Sequence, residues 1–199
     1  MAPDAAPTQQ SLVTAASRLF AHHGIDAVTL TDIRRAAKQR NNSAIAYHFG
    51  SKELLLQAVL DKHQPAIDRR RDELLELLDT GDAFTTHVIA EALVLPLAEK
   101  LKDANGGAEF LQIQAQLLTR GDRRTTRAAR PAAQRLSQLL QQADVTDYPN
   151  TINLLLTLVL HGLADQSRRA RSGDADFVHA LTRSVTAVIE TARATTTCT

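Results

Sequence analysis

The chain has 199 residues, 44% hydrophobic and 23% charged, with a net charge of +1, eight glycines, six prolines and 4% aromatic residues. That is enough material for a small domain and a larger helical core, but it offers little for an extensive sheet. A lone cysteine, Cys198, excludes an internal disulfide and favours a reducing cytoplasm over secretion. The longest apolar run, Ile152 to Leu163, is broken by Asn153, Thr157 and His161 and falls short of the roughly 20 apolar residues a membrane span needs.

In chain order, Met-Ala-Pro-Asp-Ala-Ala-Pro at residues 1 to 7 carries no charged-then-apolar signal and reads as a disordered arm. An amphipathic helix follows from near Thr8 to before Gly24, with Leu12, Ala15, Ala16, Leu19 and Phe20 as its stripe. Three capping signals come next. Thr29, with Asp32 three positions on, starts a helix from Leu30 to Ala37; Asn41 or Asn42 starts a second running to about Phe49; Ser51, after Gly50, starts a third at Lys52. Two short helices separated by a few residues must pack at an angle, as in a helix-turn-helix. Leu30, Ile33 and Ala37 on one, and Ile45 and Phe49 on the other, complete a small core with the first helix.

The face left outside is basic. Arg34, Arg35, Lys38 and Arg40 place four cations within seven residues, and Asn41, Asn42, Ser43, Tyr47 and His48 add hydrogen-bonding groups. Residues 1 to 52 hold six cations against three carboxylates, a net of +3 in a chain whose total is +1. An isolated basic run is usually a solvated helix face, but a capped bihelical frame beneath it favours double-stranded DNA: cations meet phosphates, and amides and hydroxyls enter the major groove.

Beyond Ser51 the pattern stays helical. Lys52 to about Asp79 is periodic, with Pro65 kinking or dividing it, and this long element is the natural lever between the two ends of the chain. Further helices are expected over 83–101, with Pro96 late, then 108–119, 130–143, 150–171 and 174–194. The arginines at 69–71 and those around Gly121 read as solvated. Polar groups interrupt apolar runs at His87, Glu91, Gln112, Gln116, Asn153 and His161; with Phe84 and Phe110 they are candidates for a site that takes a small, largely apolar molecule. For each, a surface or internally satisfied position is the competing explanation. Ile152, Leu156, Val159, Leu160 and Leu163, with Leu181, Val185 and Val188 on the final helix, form stripes that either serve the chain's own core or meet a second copy.

The ordered set Ala-Ala-x-x-Leu-Phe (Ala15 to Phe20), Gly24, Thr-Leu-x-Asp-Ile (Thr29 to Ile33), Ala36-Ala37, Tyr-His-Phe (Tyr47 to Phe49) and Ser-Lys-Glu (Ser51 to Glu53) resembles the DNA-binding end of TetR-type transcriptional regulators. The resemblance covers about a quarter of the chain. It implies an all-α protein with a three-helix DNA-binding domain at 1–51 and a helical effector-binding and dimerisation domain at 52–199. It implies a homodimer on a palindromic operator, acting as a repressor released by an unidentified small effector, with no catalytic residue, cofactor or metal. Thr29, Tyr47, His48 and Lys52 correspond to phosphate-contacting positions, and Arg40 through Ala44 to the start of the recognition helix. Lys38 stands where such turns open with glycine, the turn is one residue longer, and Ala46 replaces a common aromatic. Two other classes compete: a helical metal enzyme around His87-x-x-x-Glu91, which lacks a third ligand, and an architectural DNA binder, which leaves nearly 150 residues unexplained.

Overall fold

The structure, a computed structural model, describes residues 5–39, 44–79, 86–122, 131–142, 151–169 and 175–196, and these are helical throughout apart from turns. Among the described residues, ten α-helices follow in order: α1 (Ala5–His23), α2 (Leu30–Ala36), α3 (Ala44–His48), α4 (Lys52–Asp61), α5 (Gln64–Asp79), α6 (Thr86–Ala98), α7 (Gly107–Thr119), α8 (Pro131–Gln142), α9 (Thr151–Arg168) and α10 (Ala175–Thr196), with a 3-10 turn at Glu99–Lys102. The all-α reading holds.

One boundary differs from expectation, and one expected break is located. Helix α1 begins at Ala5, so residues 5 to 7 of the expected arm are helical: alanines favour helix, and Pro7 falls in the first turn, where its missing N–H has no intrahelical partner. The stretch from Lys52 to Asp79 is two helices broken at Lys62–His63. Pro65 is the reason, since its ring clashes with the carbonyl four residues back, at Asp61, where α4 ends.

Helix α1 packs on α4 and α7, α5 on α6 and α8, α6 on α10, and α7 on α9. One hydrophobic cluster runs through all of them, from Leu12, Phe20 and Ile33 through Leu55 and Leu56 to Phe110, Leu163 and Ile189, so apolar packing crosses residue 51 without interruption. Leu30, expected in this core, is instead 38% exposed on the first turn of α2.

Pro96 lies inside α6 and leaves the Ala92 carbonyl without its helical donor. The Nε of Arg71, on α5, donates to that carbonyl at 3.0 Å. Arg71 was expected in solvent with its neighbours; it is buried, because an orphaned buried carbonyl needs a donor and a long guanidinium supplies one. Burial pushes its pKa down, while Asp68 and Asp72 support its charge.

The α4–α5 break is fastened to the turn before α7. Lys62 Nζ donates to Asn105 O at 2.6 Å and Asn105 Oδ1 at 3.1 Å. His63, buried, sets Nδ1 3.3 Å from Asp103 Oδ2, which also takes Lys100 Nζ at 3.1 Å, and its ring lies against Phe110. Gly106 turns there with φ +97°, and a Cβ on Gly107 would stand 2.2 Å from the Lys100 carbonyl, so only glycine fits.

Candidate nucleic-acid interface

Local chemistry builds the N-terminal head. Helix α1 ends where Gly24, at φ +89°, donates its N–H to Phe20 O. Buried Ile25 and Val28 then pin the connecting loop to the core. At Thr29 a reciprocal capping box starts α2: Thr29 Oγ1 accepts from Asp32 N at 3.2 Å, and Asp32 Oδ2 accepts from Thr29 N at 3.0 Å. The Thr29 hydroxyl also donates to Asp32 Oδ2, and this bond, with the backbone one, holds the Asp32 carboxyl below the usual carboxylate range.

Helix α2 stops at Lys38, the one non-glycine residue with positive φ (55°) among those described. That backbone state is the one a glycine would serve, so the lysine keeps the turn shape and adds a cation. Arg34 Nη1 donates to Gln39 O at 3.1 Å, and Gln39 Nε2 donates to Ser11 Oγ at 3.1 Å, which fastens the turn to α1. On α3, Ile45 and Phe49 are buried while Ala46 and Tyr47 point outward, Tyr47 at 81% exposure. His48 is half-buried, edge-on to Tyr47 at 5.0 Å. Ser51 Oγ accepts from Leu54 N and caps α4, whose Lys52 lies 5.8 Å over the Phe20 ring and donates to Asp26 O at 3.4 Å.

Of the DNA-facing candidates, Arg35, Lys38, Thr29 and Tyr47 are exposed on this head, Lys52 and His48 are half-buried, and Arg34 serves the turn. Ala44 opens α3. Arg40, Asn41, Asn42 and Ser43 lie outside the described residues.

The effector candidates do not converge. His87 and Glu91 face each other at 3.5 Å on an exposed edge of α6, and Asn153 and His161 are exposed on α9, the latter 3.2 Å from Thr119 Oγ1. Phe110 is buried against His63, and Gln112 Nε2 donates to Ser167 Oγ at 3.2 Å. Gln116 reaches the head: its Nε2 donates to Phe20 O at 2.9 Å and to Ala21 O at 3.4 Å, and its Oε1 accepts from Ile25 N at 3.0 Å. Phe84 lies outside the described residues. Sequence reasoning passed over Gln114, whose buried Oε1 has no partner among the described residues; its place between Gln112 and Gln116 in an apolar helix was the available signal.

The residues of the expected dimer stripe divide by burial. Val159, Leu160, Leu163, Leu181 and Val185 are buried within the chain, and Ile152, Leu156 and Val188 are half-buried. Gly162 of α9 lies against Phe177 and Leu181 of α10, at distances where a Cβ would make ordinary contact, so the two stripes face each other and the core rather than outward. No described helix is long and apolar enough to cross a membrane, and no three His, Cys, Asp or Glu residues among those described group as metal ligands.

Residues 12–59 match the family described as bacterial regulatory proteins, tetR family. The A-factor receptor protein of Streptomyces griseus is 32% identical over 82 residues, 40% of this chain and 29% of that protein, so the match spans less than a third of the relative's length. Two solved structures are similar at 17% identity and a TM-score of 0.48: a Rhodococcus sp. protein described as a TetR-family transcriptional regulator, covering 92% of this chain and 99% of the other, and a gamma-butyrolactone receptor (ArpA-like protein), covering 96% and 98%.

Proposed function

We propose that this chain, whose residues 12–59 match the family described as bacterial regulatory proteins, tetR family, is a cytoplasmic, ligand-responsive repressor of transcription. It binds a palindromic operator as a homodimer and leaves it when a small, largely apolar effector enters the helical body.

The observation that carries the DNA reading is the head itself: a capping box at Thr29, a left-handed cationic turn at Lys38, and an outward Tyr47 on a helix whose other side is buried. Phosphates meeting Arg35, Lys38 and Lys52 supply affinity, and the segment around Arg40 to Ala44 enters the major groove. The division at residue 51 separates the reader from the sensing body.

Dimerisation is supported by the outer face of α9 and α10. Leu154 is 54% exposed there, and Ala180, Ser184 and Ala187 on α10 are small and exposed, which suits close approach of a second copy. A two-fold pair sets two recognition helices about 34 Å apart, one duplex turn. For the effector, the support is the name of the Streptomyces griseus relative and the unpartnered Gln114 oxygen on a helix lined by Phe110, Leu111, Ile113 and Leu117, a single polar handle in apolar surroundings.

A mobility shift of duplexes selected from a random pool tests the reading. Retention should weaken steeply with salt, and reversing Arg35 and Lys38 to glutamate should abolish it and flatten the salt slope. Retention unchanged by salt and by those reversals removes the DNA function.

A further inference from the structure

Among the described residues, Gln116 is the one side chain on the body that bonds to the head at three backbone groups, Phe20 O, Ala21 O and Ile25 N, across 91 to 96 residues of sequence. These are two carbonyls at the end of α1, of which Phe20 O also takes the Gly24 N–H, and the first buried amide after Gly24. Four residues on, Arg120 Nη2 reaches the Asp26 carboxylate at 2.8 Å, and Lys52 of α4 holds the Asp26 carbonyl. The loop leading into α2 is thus gripped from two helices, and Gln116 makes its most buried contacts.

On its other side α7 is tied to α9, through Gln112 to Ser167 and Thr119 to His161. The α4–α5 path, which sequence continuity suggested as the lever, is broken at Lys62–His63. A rigid helix transmits displacement; two helices with a break between them rotate about the break.

We propose that Gln116 is the positioning residue that sets the pose of the DNA-binding head, so that the state of the body, including that of α9, reaches the recognition helix through α7. The proposal rests on the DNA-binding reading above and names how that site is regulated. Because the amide accepts and donates at once, it fixes both the tilt of α1 and the entry of the loop into α2, and it contacts no DNA itself.

The test uses the full chain and duplexes selected by the wild type. Gln116→Leu should lower duplex affinity about tenfold while leaving the slope of log affinity against log salt unchanged, because no phosphate contact is removed. In the same protein the Ile25 amide should exchange with solvent at least tenfold faster while amides in α9 keep wild-type protection. Should Gln116→Leu fail to fold, Gln116→Glu decides: it retains an acceptor for Ile25 N–H, loses the donor to Phe20 and Ala21, and should lower affinity about threefold at constant slope. Wild-type affinity in the folded variant, a changed salt slope, or unchanged exchange at Ile25 each overturns the proposal. A wild type with no salt-sensitive affinity overturns the functional reading instead, and exchange at Ile25 still decides whether Gln116 holds the head.

Discussion

Two seams at the ends of α7 have opposite chemistry. At the α1–α7 seam a neutral amide satisfies neutral backbone groups, and the one charged pair among the described residues, Arg120 with Asp26, is largely in solvent. At the α4–α5 break the fastening is ionisable: Lys62, Lys100 and Asp103 surround His63, which is buried, and among the described residues neither its Nε2 nor Ser17 Oγ on the facing helix α1 has a partner. An amide clamp keeps its geometry at any physiological pH, whereas a buried imidazole among two ammonium groups does not. The first seam is therefore suited to holding a pose, the second to being loosened.

The contrast breaks most severely at Gly107. Gly107→Ala drives a Cβ into the Lys100 carbonyl and should cost about 3 kcal/mol or more of stability in a denaturant titration, since backbone on both sides must move. A cost under about 1 kcal/mol would mean that the ionisable seam is already slack.

A smaller effect follows from acid. Burial, and then Lys62, push the His63 pKa below 6.5, with Lys100 adding to this and Asp103 opposing it. The unfolded chain therefore takes up this proton before the folded one does. The stability His63 contributes is complete above pH 6.5 and is lost as pH falls from there toward its folded-state value. The melting temperature should drop across that window, and His63→Asn, which retains a donor toward Asp103 but does not titrate, should flatten the drop. Identical profiles for the two proteins exclude His63 as the cause.

The smallest change belongs to the solvent-facing pair. Arg120→Ala should cost no more than about 0.5 kcal/mol, because the pair is exposed and screened, so the neutral amide rather than the ion pair dominates its seam. A larger loss in a thermal melt would reverse that ranking.

What the sequence disclosed tracks how local each cause is. Thr29 with Asp32, and Ser51 before Leu54, announce helix starts because donor and acceptor lie three residues apart. Pro65 announces a break for the same reason. The stripes of α9 and α10 announced that a face was apolar, but periodicity carries no label for the neighbour that covers it, and Val159, Leu163 and Val185 proved to face inward. Gln116 was legible as a polar interruption in a buried helix. Its partner lay 91 residues away, and only the folded arrangement of α1 against α7 identified it. Around residues 40–43, which lie outside those described, the frame was legible from the caps at Thr29 and Ser51.

Arg71 and Pro96 sit 25 positions apart, yet each makes the other tolerable: the imino acid vacates a carbonyl and the guanidinium fills the vacancy. Lose the arginine first and a bare oxygen is sealed in the interior; restore an ordinary residue at 96 first and the guanidinium is left competing for an acceptor that has been reclaimed. Drift through these two sites is therefore order-dependent, and related chains are expected to keep both or lack both.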